Sequence, residues 1–184
     1  MVEKKQNKYV VYDRTTGRIL AVYGVYDAEN ETYVAQPGEA IQKVIQPIIE
    51  GLDPQSVEII EMEFPTATPI SGFRIDLDRR ELIPKFQLRL QAERTAIQGD
   101  GKDSAEITLT VVDEKGKLVK RFNGELLVTT THGRLSTIGG KVEARSGSVS
   151  IKLTSTVETI DRVSITARDP SGHSTRGTLD LEFL

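Results

Sequence analysis

The chain has 184 residues, of which 38% are hydrophobic and 28% are charged, and its net charge is -3. This composition is ordinary for a folded globular protein and excludes a disordered chain. The slightly acidic balance argues against a nucleic-acid-binding protein, which normally carries a basic excess. The absence of cysteine excludes disulfides, thiolate metal sites and a cysteine nucleophile.

The sequence predicts neither a signal peptide nor a membrane-spanning segment. The N-terminal residues, MVEKKQNKYVVYD, contain no apolar stretch of signal-peptide length. No stretch approaches the ~18 apolar residues of a membrane span. We therefore expect no membrane contact, and we expect assembly in a cytoplasm or export by a route without a cleaved signal. The length allows two modules of about 85 and 100 residues, each large enough for its own core.

Residues 1–85 are predicted to form a small α+β docking domain. Residues 9–12 and 18–26 are rich in Val, Tyr and Ile, and the turn residues 13–17 (DRTTG) join them, which predicts a β-hairpin. Both faces of these strands are apolar, so we expect the strands to be central or covered on both sides. Residues 27–38 are predicted to be a polar connection.

The rest of this domain is predicted as one helix and two strands. In residues 39–50, apolar residues recur at helical spacing, although Pro47 would shorten or kink the helix. The apolar positions are Ile41, Val44, Ile45, Ile48 and Ile49. Residues 57–64 and 73–77 are predicted as strands, which gives the order ββαββ ending near Pro84.

From Phe86 onward the pattern is strict alternation. Phe86, Leu88 and Leu90 alternate with polar residues, and the same period of two recurs in residues 106–111, 148–154, 162–168 and 178–183. This period places one face of each strand on a core and the other in water. About seven short strands with Gly- and Asp-containing turns predict an immunoglobulin-like β-sandwich over residues 86–184. The predicted fold class is mainly β, with this C-terminal sandwich preceded by the small α+β domain.

Residues 86–184 also carry a family resemblance. They contain, in order, LRLQAERTAIQGDGKDSAEITLTVVDEKGKLV, LLVTTTHGRLS, GSVSIKLTST and DRVSITARD. This series resembles the bacterial immunoglobulin-like domain of the invasin and intimin type. The closing DPSGHSTRGTLDLEFL departs from the family pattern because it reaches the end of the sequence without a linker to another repeat. That departure argues against the tandem array that is usual in adhesins.

The resemblance implies two functions, since such domains also occur on tailed-phage virion proteins. The first is a non-enzymatic structural protein of a phage virion: a capsid decoration, head-fibre or tail accessory protein. Its first domain would dock on capsid or tail subunits, and its sandwich would project. By analogy with virion accessory proteins, the chain would form a homo-oligomer. The virion, assembled in the host cytoplasm, would be its location. The alternative is a bacterial adhesion module that binds a surface carbohydrate, such as a host glycan, or a protein receptor.

Candidate chemistry is sparse, and we expect neither an enzyme nor a cofactor. His132 and His173 are the two histidines, and each lies in a predicted loop. A role as metal ligand or general base would require partners that converge on the same point. Asp100, Asp103 and Asp113 lie at corners, but their spacing is not that of an EF-hand, and turns explain them. The short basic cluster at residues 115–121 is interpreted as a solvated face.

The tyrosines are the candidate interface residues. All five lie in the first 33 residues: Tyr9, Tyr12, Tyr23, Tyr26 and Tyr33. Tyrosine is enriched at protein interfaces because it combines a large apolar area with a polar tip. The alternative is that these side chains fill a small core. The sequence leaves both open.

Overall fold

The computed structural model describes residues 5–27, 32–34, 50, 53–65 and 69–184. The chain divides into two compact units, Met1–Pro84 and Lys85–Leu184. In the described ranges the regular secondary structure consists of β-strands and two 3₁₀ turns, Pro54–Ser56 and Ile70–Gly72. The predicted mainly β fold class is therefore confirmed. The helix predicted over residues 39–50 lies outside the described residues except at Glu50. No helix in the described part of the chain is long and apolar enough to cross a bilayer.

The described residues of the first unit form seven strands. They are β1 (Lys5–Asp13), β2 (Ile19–Tyr23), β3 (Val25–Asp27), β4 (Thr32–Val34), β5 (Val57–Pro65), β6 (Phe73–Asp76) and β7 (Glu81–Pro84). β1 is the central strand of an antiparallel sheet with the order β2-β1-β5. β3 pairs with β4, and β6 pairs with β7, in separate two-stranded ladders.

Both faces of β1 are buried, as the apolar residues on both faces of this strand predict. The buried residues of one cluster are Tyr9, Val11 and Val57, and those of the other are Val10, Tyr12, Ile19, Phe64 and Ile75. Because side chains alternate along a strand, β1 contributes odd-numbered residues to the first cluster and even-numbered residues to the second. The unit therefore has two small apolar clusters on either side of one sheet.

The predicted hairpin turn at residues 13–17 is confirmed. The Asp13 carboxylate accepts hydrogen bonds from the Thr15 and Thr16 N–H groups at 2.8 and 2.9 Å. Gly17 has a φ of +69°, and a Cβ atom there would lie 2.1 Å from the Ile75 carbonyl oxygen. The Ile75 N–H donates to the Gly17 carbonyl at 2.7 Å, so the turn and β6 meet backbone to backbone. This position requires glycine.

The structure differs from the prediction at three short strands. The strand predicted over residues 18–26 is interrupted at Gly24, where β2 has ended and β3 has not begun. Glycine weakens a strand because it has no side chain to pack. β4 lies within the connection predicted over residues 27–38, and β7 was not predicted. Each has only three or four residues, which is too few for an alternation to be recognised.

The second unit contains ten strands. They are β8 (Phe86–Ala92), β9 (Ala96–Ile97), β10 (Ser104–Val112), β11 (Gly124–Thr130), β12 (Arg134–Leu135), β13 (Lys141–Ala144), β14 (Ser148–Thr154), β15 (Ile160–Arg168), β16 (Ser174–Thr175) and β17 (Gly177–Phe183). One sheet has the order β12-β14-β10-β8-β16, and the other has the order β13-β11-β15-β17-β9.

These two sheets follow the immunoglobulin order. β8, β10, β14 and β12 take the places of strands A, B, E and D, and β11, β15 and β17 take those of C, F and G. After β8 the chain changes sheets, and β9 pairs in parallel with β17. The predicted immunoglobulin-like sandwich is thus confirmed. The strands beyond the predicted seven include β9, β12 and β16, which have two residues each.

The sandwich core is formed by the inward residues of both sheets. Ile107, Leu109 and Val111 of β10 are 0% exposed, and so are Val163 and Ile165 of β15. With no cysteine and no tryptophan in the chain, this unit has neither the disulfide nor the buried indole of antibody domains. Its stability therefore depends on apolar burial and on the hydrogen-bonded ladders.

Candidate functional site

The loop between β10 and β11, residues 113–123, crosses from one sheet to the other at one end of the sandwich. It begins with a tight turn, in which the Asp113 N–H donates to the Lys117 carbonyl at 2.9 Å. The Asp113 carboxylate accepts from the Lys115 and Lys117 N–H groups, both at 2.9 Å. Asp113 therefore stabilises the turn as an Asx-type residue, which is the role that its position in the sequence predicts.

The second half of this loop is fixed to neighbouring backbone. The Val119 N–H donates to the Val111 carbonyl at 2.9 Å, and the Gly147 N–H donates to the Phe122 carbonyl at 2.8 Å. Gly147 has a φ of +79°, and a Cβ atom there would lie 2.5 Å from the Val119 carbonyl oxygen. The Asn123 side-chain oxygen accepts from the Ser146 N–H at 2.9 Å. The loop is consequently preorganised by the turn between β13 and β14.

A groove of about 510 Å³ opens beside this loop. Its lining residues are Phe86, Asp113, Lys117, Leu118, Val119, Lys120 and Arg121. Phe86, Leu118 and Val119 provide its apolar floor, and Leu118 is 37% exposed. This set of residues is called the groove below. An exposed apolar surface that is framed by charged groups is typical of an interaction site.

The rim of the groove is cationic. Lys117, Lys120 and Arg121 are exposed, and none of them forms an ion pair with a carboxylate in the described ranges. The Arg89 guanidinium lies next to the turn at Gly116, 3.3 Å from the position of a Cβ atom there. The one carboxylate that lines the groove belongs to Asp113, and backbone N–H groups already bind it. The groove therefore presents a positive potential to an incoming partner.

No protein-family model matches this chain, and no curated protein matches it either. Solved structures do match. A glycosyl hydrolase family 2 member from Bacteroides cellulosilyticus matches with 15% identity and a TM-score of 0.50, over 96% of this chain and 21% of that one. The C-terminal 282-residue fragment of intimin, in complex with the intimin-binding domain of the translocated intimin receptor, matches with 24% identity and a TM-score of 0.42, over 51% of this chain and 31% of that one. The Yersinia pseudotuberculosis adhesin InvE matches with 22% identity and a TM-score of 0.40, over 53% of this chain and 27% of that one.

The chain therefore spans between about a fifth and a third of the length of these three structures. Similarity at such identities concerns the fold alone, so the hydrolase activity and the intimin receptor belong to those proteins. The immunoglobulin-like fold of the second unit is shown by its strand order.

The tyrosines predicted as interface residues all belong to the first unit. Tyr9 and Tyr12 are 6% and 1% exposed, on opposite faces of β1. Tyr23 is half-buried on β2, and Tyr26 lies opposite Tyr33 in the ladder of β3 and β4. Tyr9 and Tyr12 thus contribute to the two clusters of the unit itself. The interface role of the set stays a prediction.

Tyr12 also takes part in a polar network. Burial raises the pKa of Tyr12, and a hydrogen bond to the Glu58 carboxylate raises it further. Arg80 pairs with Glu58 at 3.1 Å, and Arg14 lies 3.8 Å from the same carboxylate. The side chains of both arginines are largely exposed, whereas the Tyr12 side chain is buried and held in place by the surrounding core. Its contacts give Tyr12 a structural role.

The two histidines lie on loops at opposite ends of the sandwich. His132 is exposed after β11, with its Nδ1 atom 3.3 Å from the Thr131 hydroxyl. His173 lies between β15 and β16, where its carbonyl accepts a hydrogen bond from the Phe86 N–H at 3.0 Å. Catalytic groups that act together must lie within hydrogen-bond reach of the same substrate. Two histidines at opposite ends of the sandwich cannot meet this requirement as a pair.

Asp100 and Asp103 lie in the loop between β9 and β10, whereas Asp113 lies at the other end of β10. The Asp103 and Lys102 N–H groups donate to the Asp100 carboxylate at 2.7 and 2.8 Å and hold the pKa of Asp100 below its usual range. In the described ranges, no three potential metal ligands come together. The carboxylates act as turn residues, as their sequence context predicts.

The groove was not predicted from the sequence, in which residues 115–121 suggested only a solvated face. Leu118 and Val119 between Lys117 and Lys120 are a weak local signal of an apolar centre within a basic cluster. The missing information was long-range: Phe86, which completes the floor, is about thirty positions away in the sequence. Only the pairing of β8 with β10 brings it to the same end.

Proposed function

We propose that this chain is a non-enzymatic recognition protein of the adhesion type. The sandwich binds a protein partner at the groove, and the first unit provides attachment. The observation that carries this proposal is the groove itself, with an apolar floor and a cationic rim on a loop that hydrogen bonds hold in place. A preorganised apolar pocket with charged groups around it is suited to be a binding hot spot, because the loop loses little conformational freedom on binding. The rim favours a partner with an acidic surface.

A protein partner is favoured over a carbohydrate. Aromatic rings supply the flat apolar faces on which the C–H surface of a sugar can pack. All tyrosines lie in the first 33 residues, and the chain has no tryptophan. Within the sandwich, Phe122 is 8% exposed and Phe183 is 1% exposed, so neither ring is offered to a ligand. Phe86 is half-buried in the groove floor, so the groove offers one aromatic ring at most.

A non-enzymatic role is supported by where the reactive side chains lie. The histidines are at opposite ends of the sandwich, and the oxygens of Asp100, Asp103 and Asp113 bind backbone N–H groups. Nucleophilic and general-base catalysis both require such groups to converge on one point. The groove has cations and apolar side chains but no such convergence.

Two settings suit this role. The first is adhesion at a bacterial surface, which the family resemblance of residues 86–184 supports. The second is a phage virion, where the first unit would dock on capsid or tail subunits as a homo-oligomer. The division of the chain into two compact units supports attachment through one and display of the other in either setting.

Cell binding tests the adhesion setting. Full-length fluorescent protein is incubated with cultured animal cells that are untreated, trypsin-treated or enzymatically deglycosylated. If the partner is a protein, treating the cells with trypsin should abolish binding, whereas deglycosylation should leave binding unchanged. The K120E/R121E variant reverses two rim charges and should lose most of the binding, whereas K152E/R134E makes the same charge change on other exposed positions and should not. Equal binding by both variants, or binding lost on deglycosylation alone, would contradict the proposal.

Co-sedimentation with purified phage heads and tails tests the virion setting. Full-length protein that pellets with particles but does not bind cells would assign the chain to a virion. Binding to cells without pelleting would assign it to a cell surface. If the chain neither binds cells nor pellets with particles, the proposed recognition role is contradicted.

A further inference from the structure

The end of the sandwich opposite to the groove carries an exposed apolar residue among acidic side chains. Val157, in the connection between β14 and β15, is 78% exposed. Glu158 and Asp161 are exposed, and neither forms an ion pair in the described part of the chain. Arg162 is occupied by Asp180 at 2.8 Å. Residues 155–161 are called the acidic tip below.

The acidic tip is held by a neighbouring loop. The Ser155 N–H donates to the Asp103 carbonyl at 2.9 Å, and the Ser155 hydroxyl accepts from the Gly101 N–H at 3.2 Å. Ser155 is itself 5% exposed, so it anchors the tip from below while Val157 projects. The same loop brings the Asp100 carboxylate and the exposed Lys102 to this end. Exposed Arg134 also lies beside the tip, because it pairs with Thr154. The carboxylates of Asp100, Glu158 and Asp161 outnumber these two cations, so the potential of the tip is negative.

The acidic tip and the groove lie at opposite ends of the same ladder. β10 begins at Ser104, which pairs with Thr154 next to the tip. It ends at Val112, which forms a bridge with Leu118 in the groove. Nine residues of extended chain separate the two ends by roughly 25–30 Å. One molecule therefore cannot fill its own groove with its own tip.

We propose that the acidic tip of one chain binds in the groove of a second copy. Val157 contacts the apolar floor, and Glu158 and Asp161 face Lys120 and Arg121. This inference rests on the proposed function, because it names a partner for the groove. The partner is a second copy because the same chain carries an exposed apolar residue framed by the opposite charge. Since two different surfaces meet, the contact is heterologous and can repeat from head to tail.

The predicted contact is small. One valine and a few exposed charges resemble the weak, transient class of interfaces, and exposed ion pairs are screened by salt. Association is therefore expected at high protein concentration and low ionic strength, and it should decrease as salt is added. It would line up sandwiches on a surface where the local concentration of the chain is high.

Complementary charge reversals test the inference with the full-length chain. K120E/R121E makes the groove acidic, and E158K/D161K makes the tip basic. Sedimentation velocity at low salt measures the mass of each variant alone and of an equimolar mixture. Each variant alone should associate about tenfold more weakly than the unmodified chain, because like charges then meet. In the mixture, the basic groove of one variant meets the acidic tip of the other, so association should return.

The control is K141E/R168E, which makes the same charge change at two exposed positions that flank Leu127 in the other sheet. It should associate like the unmodified chain, and circular dichroism confirms that each variant is folded. Unmodified chain that stays monomeric, variants that associate unaided, or a mixture that stays monomeric would each overturn the inference. The proposed function has a separate readout: if K120E/R121E loses cell binding while no self-association is detected, the groove recognises another protein and the second copy is excluded.

Discussion

Gly17 combines a left-handed backbone conformation with direct contact to another strand. An alanine there would strain the backbone by about 1–2 kcal/mol and would displace the Ile75 hydrogen bond, worth about 1 kcal/mol. We expect Gly17→Ala to destabilise the first unit by about 2–3 kcal/mol in urea unfolding. Gly72→Ala is the control, because no heavy atom lies within 4 Å of its Cβ position. Equal effects of the two changes would contradict the close approach.

Ile165 and Ile138 are the same residue type in opposite environments. Ile165 is 0% exposed in the sandwich core, and Ile138 is 92% exposed between β12 and β13. Ile165→Ala should cost about 2–5 kcal/mol, because it removes buried methyl groups and leaves a cavity. Ile138→Ala should change the stability by less than about 0.5 kcal/mol. A comparable loss for both in urea unfolding would show that the core is assigned to the wrong face.

At the scale of elements, the loop between β9 and β10 depends on Asp103. The Gln98 N–H, then the Arg94 guanidinium and the Ser104 N–H, hold the pKa of Asp103 below its ordinary value of 3.8. The carboxylate accepts from Gln98 at 2.9 Å and from Arg94 at 2.5 Å. A folded-state pKa below the unfolded value means that the stabilisation is present above about pH 4 and is lost as the pH falls through the folded value.

We therefore expect the unmodified sandwich to lose stability as the pH falls below about 4. The Asp103→Asn variant should be less stable than the unmodified chain at pH 7. It should lose less stability on acidification, so that the urea midpoints of the two proteins converge in acid. The measurement is the urea midpoint of both proteins at pH 7, 4 and 3. Parallel pH profiles would show that Asp103 does not contribute. Asp100 and Asp180, whose pKa values are also lowered, remain in both proteins and keep some acid sensitivity in the variant.

The long strands could be predicted from the sequence, and the shortest could not. β10, β14, β15 and β17 each show several cycles of apolar and polar alternation, which has a single physical cause in the pleat of the strand. β9 and β16 have two residues each, and their parallel pairing to β17 and β8 depends on tertiary packing. The turn roles of Asp13 and Asp113 could be predicted because an Asx turn is a local feature.

The candidate site was much less predictable than the fold. The basic residues around Lys120 were visible in the sequence, but their relation to Phe86 is created by strand pairing. The same holds for the acidic tip, in which Val157 looks like any apolar residue until its exposure is known. Surface sites combine residues that are distant in sequence, whereas alternation is a property of neighbours.

At the scale of the whole molecule, two different surfaces are candidates for self-association. One is the set of tyrosines in the first unit, two of which are buried in its own clusters. The other joins the groove to the acidic tip. These alternatives involve different units of the chain, so residue-specific data can separate them.

Amide NMR spectra of the isotopically labelled full-length chain, recorded from dilute to high concentration at low salt, test the binding of the acidic tip in the groove of a second copy most directly. We expect concentration-dependent shifts for residues 113–121 and 155–161 together, which added salt reverses. Shifts confined to the first unit, shifts spread over the outer sheet faces, or spectra that do not change with concentration would contradict this account.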